Sequence, residues 1–187
     1  KFVGTYYDSA ANEDGTKSKR FLSVIEFSSN GYNGYGNGAA KTALSWNDIA
    51  GQTSKQNAQQ LVNQAISDNA EGGTNIEAAL QKAYDIIDEA KNTTLKDVSS
   101  VTVILLTDGK PTYHIGGGNG EDTRYADYHN AEMAAGNLKS LEVNGNRVLL
   151  YSIAFATSDK FYHDEFRKNL TVYDWLDKKI ADQTFGA

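Results

Sequence analysis

The sequence predicts an α/β fold, a mostly parallel sheet in a three-layer α/β/α arrangement, and three observations predict it. Short, nearly continuous apolar runs recur at 21–27 (FLSVIEF), 101–106 (VTVILL) and 147–156 (RVLLYSIAFA). Between the runs, apolar residues fall at helical spacing. The order is therefore strand, helix, strand, helix, strand. Parallel strands need crossovers, and right-handed crossovers lay helices on both faces of the sheet. The 187 residues, 40% hydrophobic and 22% charged, have the size and composition of one domain with a buried core.

In chain order, Val3, Tyr6 and Tyr7 have the spacing of the last turns of an amphipathic helix, and 8–20 is a polar connecting loop. Residues 21–27 read as a strand closed by Ser28 and Ser29. The segment 30–38 (NGYNGYGNG) is rich in residues that take positive φ, and 41–46 alternates. Together they predict a hairpin, with 41–46 antiparallel to 21–27 at a sheet edge and Tyr32 and Tyr35 at its tip. A helix over 54–68 follows from Ala58, Leu61, Val62, Ala65 and Ile66, and a second over 76–91 from Ile76, Ala79, Leu80, Ala83, Ile86, Ile87 and Ala90. Thr74 and Glu77 have the spacing of a capping box for that second helix.

The run at 101–106 is the pattern of a strand buried on both faces, and it ends in Thr107, Asp108 and Gly109. Ligands of open parallel sheets bind beyond the C-terminal ends of the strands, so Asp108 is a candidate site residue. Asp-Gly before Lys110-Pro111 is also turn chemistry in its own right. The glycine-rich stretch 110–123 does not fit a dinucleotide-binding loop, which must follow its strand at once and open a helix; it predicts a flexible loop. A third helix over 126–141 turns Ala131, Ala134, Leu138 and Leu141 inward and stops at Asn144-Gly145-Asn146. After the strand at 147–156, a last helix is expected near 173–181. His114, His129 and His163 have no spacing that marks a metal site or a catalytic triad.

Composition narrows the function. A net charge of −6 without clustered Lys and Arg argues against nucleic acid as a partner. The absence of cysteine removes disulfides, zinc–thiolate sites and thiol nucleophiles. No apolar run is long enough to span a bilayer, so no membrane insertion is expected.

Four pieces in order, FxxVIEFSS (21–29), GGTNI (72–76), VILLTDGKP (103–111) and VLLYSIAF (148–155), resemble a von Willebrand factor type A domain of the kind found in bacterial surface or pilus-tip adhesins. The resemblance implies a Rossmann-like, mostly parallel sheet with one antiparallel edge strand. It also implies a metal-ion-dependent adhesion site holding Mg2+, or Mn2+ or Ca2+, with Thr74 and Asp108 at the positions of two metal ligands. Oxygen donors suit a hard cation that keeps most of its waters. The family's Asp-x-Ser-x-Ser motif, carried on its first strand, does not occur in this sequence. By the family's order the sequence is a single domain over 1–187, incomplete at both ends, and cation binding is expected to be weak or absent without that strand. The gap would be filled by another segment of the same protein or by a strand from another copy.

The function implied is an adhesion or protein-binding module of a secreted or cell-surface protein. The bound cation would accept a carboxylate from a host or matrix protein, or from another subunit. The loops 30–38 and 113–125 would flank the docking place. A metal-dependent hydrolase on a related fold is the enzymatic alternative and needs a second carboxylate or a base near Asp108. A structural or assembly domain without an ion is the third reading.

Overall fold

A computed structural model describes residues 2–8, 18–29, 39–65, 72–155 and 158–186. They belong to two compact units, one of residues 1–26 and 41–69, the other of 27–40 and 70–187. The loop tip with Tyr32 and Tyr35, most of the loop 8–20, and the expected end of the helix 54–68 lie outside the described residues.

The first unit contains α1 (Phe2–Asp8), β1 (Phe21–Phe27), β2 (Ala40–Asp48) and α2 (Lys55–Ala65). β1 and β2 form a two-stranded sheet. Hydrogen bonds bracket the ladder, from Ser28 N–H to Ala39 O at one end (2.9 Å) and from Ile49 N–H to Arg20 O at the other (2.7 Å), so the strands run antiparallel as expected. The spacing of Val3, Tyr6 and Tyr7 does put them on one side of α1, where they pack on the core of Leu44, Ile49, Ala58 and Val62. Burial raises the Tyr6 phenol above its ordinary pKa, and its hydroxyl donates to Phe21 O at 3.3 Å.

In the second unit, α3 (Ile76–Ala90) leads to β3 (Thr102–Thr107). A small hairpin follows, β4 (Tyr113–His114) with β5 (Gly117–Gly118), and then α4 (Tyr125–Ser140). A second small hairpin, β6 (Glu142–Val143) with β7 (Asn146–Arg147), precedes β8 (Leu149–Ala154). Its turn is Asn144-Gly145 with both φ positive, at 53° and 78°. The helix itself ends earlier than expected, at Ser140 with Leu141 as its C-cap, so Asn144 and Gly145 turn a hairpin and do not end the helix. A third hairpin, β9 (Lys160–His163) with β10 (Lys168–Thr171), leads into α5 (Val172–Trp175), a π-helical turn over Leu176–Ile180, and β11 (Gln183–Gly186).

The sheet of this unit has the order β11-β8-β3, all parallel, with Val103 opposite Leu150 and Ser152 opposite Thr184. Among the described residues β1 pairs with β2 alone, and β3 with β8 alone. The core lies between this sheet and the helices: Leu105, Leu138, Leu150, Leu176 and Ile180 are buried there.

Three readings change. The stretch 110–123 is a hydrogen-bonded hairpin with its ends tied down, not a featureless loop. The expected helix near 173–181 is α5 plus the π turn, and residues 183–186 pair with β8 as a strand. β3 is buried on one face only: Leu105 and Thr107 are covered, whereas Ile104 and Leu106 are exposed.

Candidate functional site

The two candidate ligands arrive from two elements of the second unit. Thr74 lies just before α3, and Asp108 just after β3. At the β3 end the Thr107 hydroxyl donates to Gly109 O (3.2 Å), which closes a tight turn with the exposed Asp108 at its tip. The turn chemistry of Asp-Gly and a site role for Asp108 are thus one arrangement, since the turn carries the carboxylate outward.

At α3 the helix starts one residue later than the capping-box spacing implied. Asn75 is the N-cap, and its Oδ1 accepts from Ala78 N–H at 3.0 Å. Glu77 is turned elsewhere and accepts from Ile115 N–H (2.7 Å) and Asn130 Nδ2 (3.3 Å). The Thr74 hydroxyl therefore takes no part in capping. It lies beside the Asp108 turn: a Cβ added to Gly109 would be 3.3 Å from Thr74 Oγ1.

Thr74 and Asp108 line one cleft of about 570 Å3 together with Phe27, Ser28, Gly72, Gly73, Leu106, Thr107 and Phe155. Its wall is half apolar, and among the described lining residues Asp108 is the one carboxylate. Three buried side-chain atoms at or beside it, Ser28 Oγ, Ser29 Oγ and Asn75 Nδ2, have no hydrogen-bond partner among the described residues. Buried polar atoms are normally paired, so these three have hydrogen-bonding capacity left over at this end of the sheet. Gly72 is needed where it stands, because φ is +101° and a Cβ would lie 2.9 Å from Ser29 Cβ. In the sequence Ser28 and Ser29 mark only the end of a strand. Their position at the C-terminal end of a strand was the available signal.

The donor set, one carboxylate with hydroxyls, fits a hard divalent cation that retains several waters. Among the described residues no three His, Asp or Glu side chains cluster to form a cage without water. The histidines are engaged elsewhere. His114 Nδ1 meets the buried Asp127 carboxylate at 2.7 Å, His163 Nε2 meets Glu132 at 2.8 Å, and His129 stacks on Tyr125 with ring centroids 4.8 Å apart. None lines the cleft, and the pairing base that a hydrolase would need is not among its described lining residues.

The von Willebrand factor type A domain matches residues 2–165. The chain belongs to that family. A 71-residue stretch is also 38% identical to inter alpha-trypsin inhibitor, heavy chain 4, of Mus musculus, covering 37% of this chain and 8% of that protein. The chain thus spans a small part of the length of this relative. No solved structure matches the chain. A von Willebrand factor type A domain is a three-layer α/β/α fold that commonly mediates protein–protein interaction, often through a divalent metal, and is generally not an enzyme. No described helix is long and apolar enough to cross a membrane.

Proposed function

We propose that this von Willebrand factor type A domain is a cation-dependent protein-binding module of a secreted or cell-surface protein. The observation that carries the reading is the meeting of Thr74 and Asp108 at one cleft beyond the C-terminal end of β3, beside two buried serine hydroxyls without partners among the described residues. Thr74 Oγ1 and the Asp108 carboxylate would hold the ion, Asp108 directly or through water. A bound divalent cation supplies an open position for a carboxylate of the partner protein. The apolar wall of Phe27, Leu106 and Phe155 would receive the apolar part of the same segment, and it lowers the local dielectric so that each charge contact counts for more.

One carboxylate is a thin donor set for Mg2+, so the affinity of these residues alone should be low. A segment bearing Asp-x-Ser-x-Ser should raise it by adding a second carboxylate and two hydroxyls. The test is a titration of Mg2+ or Mn2+ into the chain, alone and joined to such a segment. Binding that strengthens with the segment and is lost in Asp108→Ala supports the reading. Equal binding by the chain alone and the joined form, or by Asp108→Ala and the wild type, refutes it.

A further inference from the structure

The hairpin that follows Asp108 holds Thr74 from both sides of its peptide unit. Thr112 N–H and Tyr113 N–H both donate to Thr74 O, at 3.0 and 3.1 Å, while Thr74 N–H donates to Thr112 Oγ1 at 3.0 Å. Thr112 is buried, and its own carbonyl accepts from Asn119 N–H (3.2 Å) and Gly120 N–H (3.3 Å), which folds the rest of the loop around it. The approach is so close that residue 73 has to be glycine: a Cβ there would lie 2.4 Å from Thr112 Oγ1 and 2.6 Å from the Tyr113 ring. The hairpin is itself fixed at two further points, His114 to the buried Asp127 of α4 and Ile115 N–H to Glu77 of α3.

We propose that Thr112 is the positioning residue of the cleft, and that its side chain, with the hairpin it opens, sets the backbone of Thr74 so that the Thr74 hydroxyl points where a cation is held. This rests on the reading of Thr74 as a cation ligand. Two features set the arrangement apart from ordinary loop packing. All three bonds converge on Thr74 from the adjacent residues Thr112 and Tyr113, with Thr112 38 positions away in sequence, and none of them uses the Thr74 hydroxyl, which leaves it available to the cleft. Partners that orient a metal ligand typically contribute about ten- to a hundredfold in affinity.

The experiment is a Mn2+ titration of the chain followed by water-proton relaxation, which reads millimolar as well as micromolar affinities. Wild type, Thr74→Ala, Thr112→Val, Thr112→Ser and Gly73→Ala are compared, each with a thermal melt. Thr112→Val keeps the shape and removes the acceptor, whereas Thr112→Ser keeps the acceptor. The proposal expects loss of binding in Thr74→Ala, about tenfold weaker binding in Thr112→Val and Gly73→Ala, and binding within about twofold of wild type in Thr112→Ser, all at temperatures where the variants are folded. Wild-type affinity in Thr112→Val while Thr74→Ala has lost the ion overturns this proposal alone. Loss in Thr112→Ser equal to that in Thr112→Val overturns it too, because the hydroxyl would then not be the operative group. Wild-type affinity in Thr74→Ala removes the cation reading, and this proposal with it.

Discussion

On one face of the three-stranded parallel sheet Leu105, Leu150, Ser152 and Thr184 are buried; on the other, Ile104, Leu106 and Phe185 are 40%, 54% and 45% exposed. The two faces are built from the same apolar runs, so composition does not separate them. Connectivity does. The strand order advances in one direction, β3 to β8 to β11. Right-handed crossovers that advance in one direction put their connecting segments on one face. Here α4 makes the first connection and α5 with its π turn makes the second. A helix reaches the opposite face by the same rule only where the strand order reverses.

The elements packed over the covered face also carry two sets of polar contacts. Glu132 of α4 accepts from both His163 Nε2 (2.8 Å) and the buried Trp175 Nε1 (2.9 Å), and Tyr128 donates to Asp164 at 2.7 Å. Burial, helped by that bond to Asp164, pushes the Tyr128 phenol up to about 12. The exposed face has no comparable network among the described residues.

Neighbouring residues on β3 should show the largest difference between the two faces. Leu105→Ala should destabilise by about 2 to 5 kcal/mol, as a large-to-small change in a packed core does. Leu106→Ala, one position along, should cost about 0.5 kcal/mol, as at an exposed site. Urea unfolding of both measures the difference, and equal losses would mean the two faces are equally covered in solution.

Next in size is Glu132→Ala, which strands two buried donors and should cost about 2 to 4 kcal/mol. Glu132→Gln retains an acceptor and should cost less, which the same unfolding curves would show.

A smaller effect is set by pH at the ends of the covered layer. Burial tends to raise the Asp182 carboxyl, but the Leu150 N–H and the Arg147 guanidinium outweigh it and hold it below its ordinary value. At Asp174 the Thr171 hydroxyl, and after it Lys178, act in the same direction. A folded pKa below the unfolded value of about 3.9 means that the stabilisation is complete above that pH and is lost as pH falls through the folded values. Thermal melts from pH 6 down to pH 3 should show a decline that is shallower in Asp182→Ala than in wild type. The same decline in both would show that Asp182 does not contribute to it.

The strands at 21–27 and 101–106 were legible as nearly continuous apolar runs, and the helices at 76–91 and, as far as residue 65, at 54–68 by their period of 3.6 residues. The small hairpins were not. Tyr113–His114, Glu142–Val143 and Lys160–His163 are too short to show a period, and their pairing partners are fixed by turns and contacts, as at His114–Asp127. The start of α3 at Ile76 was legible but its capping residue was not, because Thr74 and Asn75 are both good caps by type and only the backbone chooses between them.

Local sequence carried the alternation of strands and helices, the antiparallel pairing of 21–27 with 41–46, and two residue types that suit a hard cation. It did so because local periodicity and turn chemistry are written in adjacent residues. Only folding brings Thr74 and Asp108 to one cleft, leaves the buried Ser28 and Ser29 hydroxyls beside it unpaired among the described residues, and lets Thr112 hold the Thr74 backbone. Those relations join positions 34 to 46 residues or so apart, roughly, and nothing in a local pattern reports a distance across a sheet edge. The same holds for the open face of β3: an apolar run records that a strand can be buried, and only the order of its neighbours settles on which side.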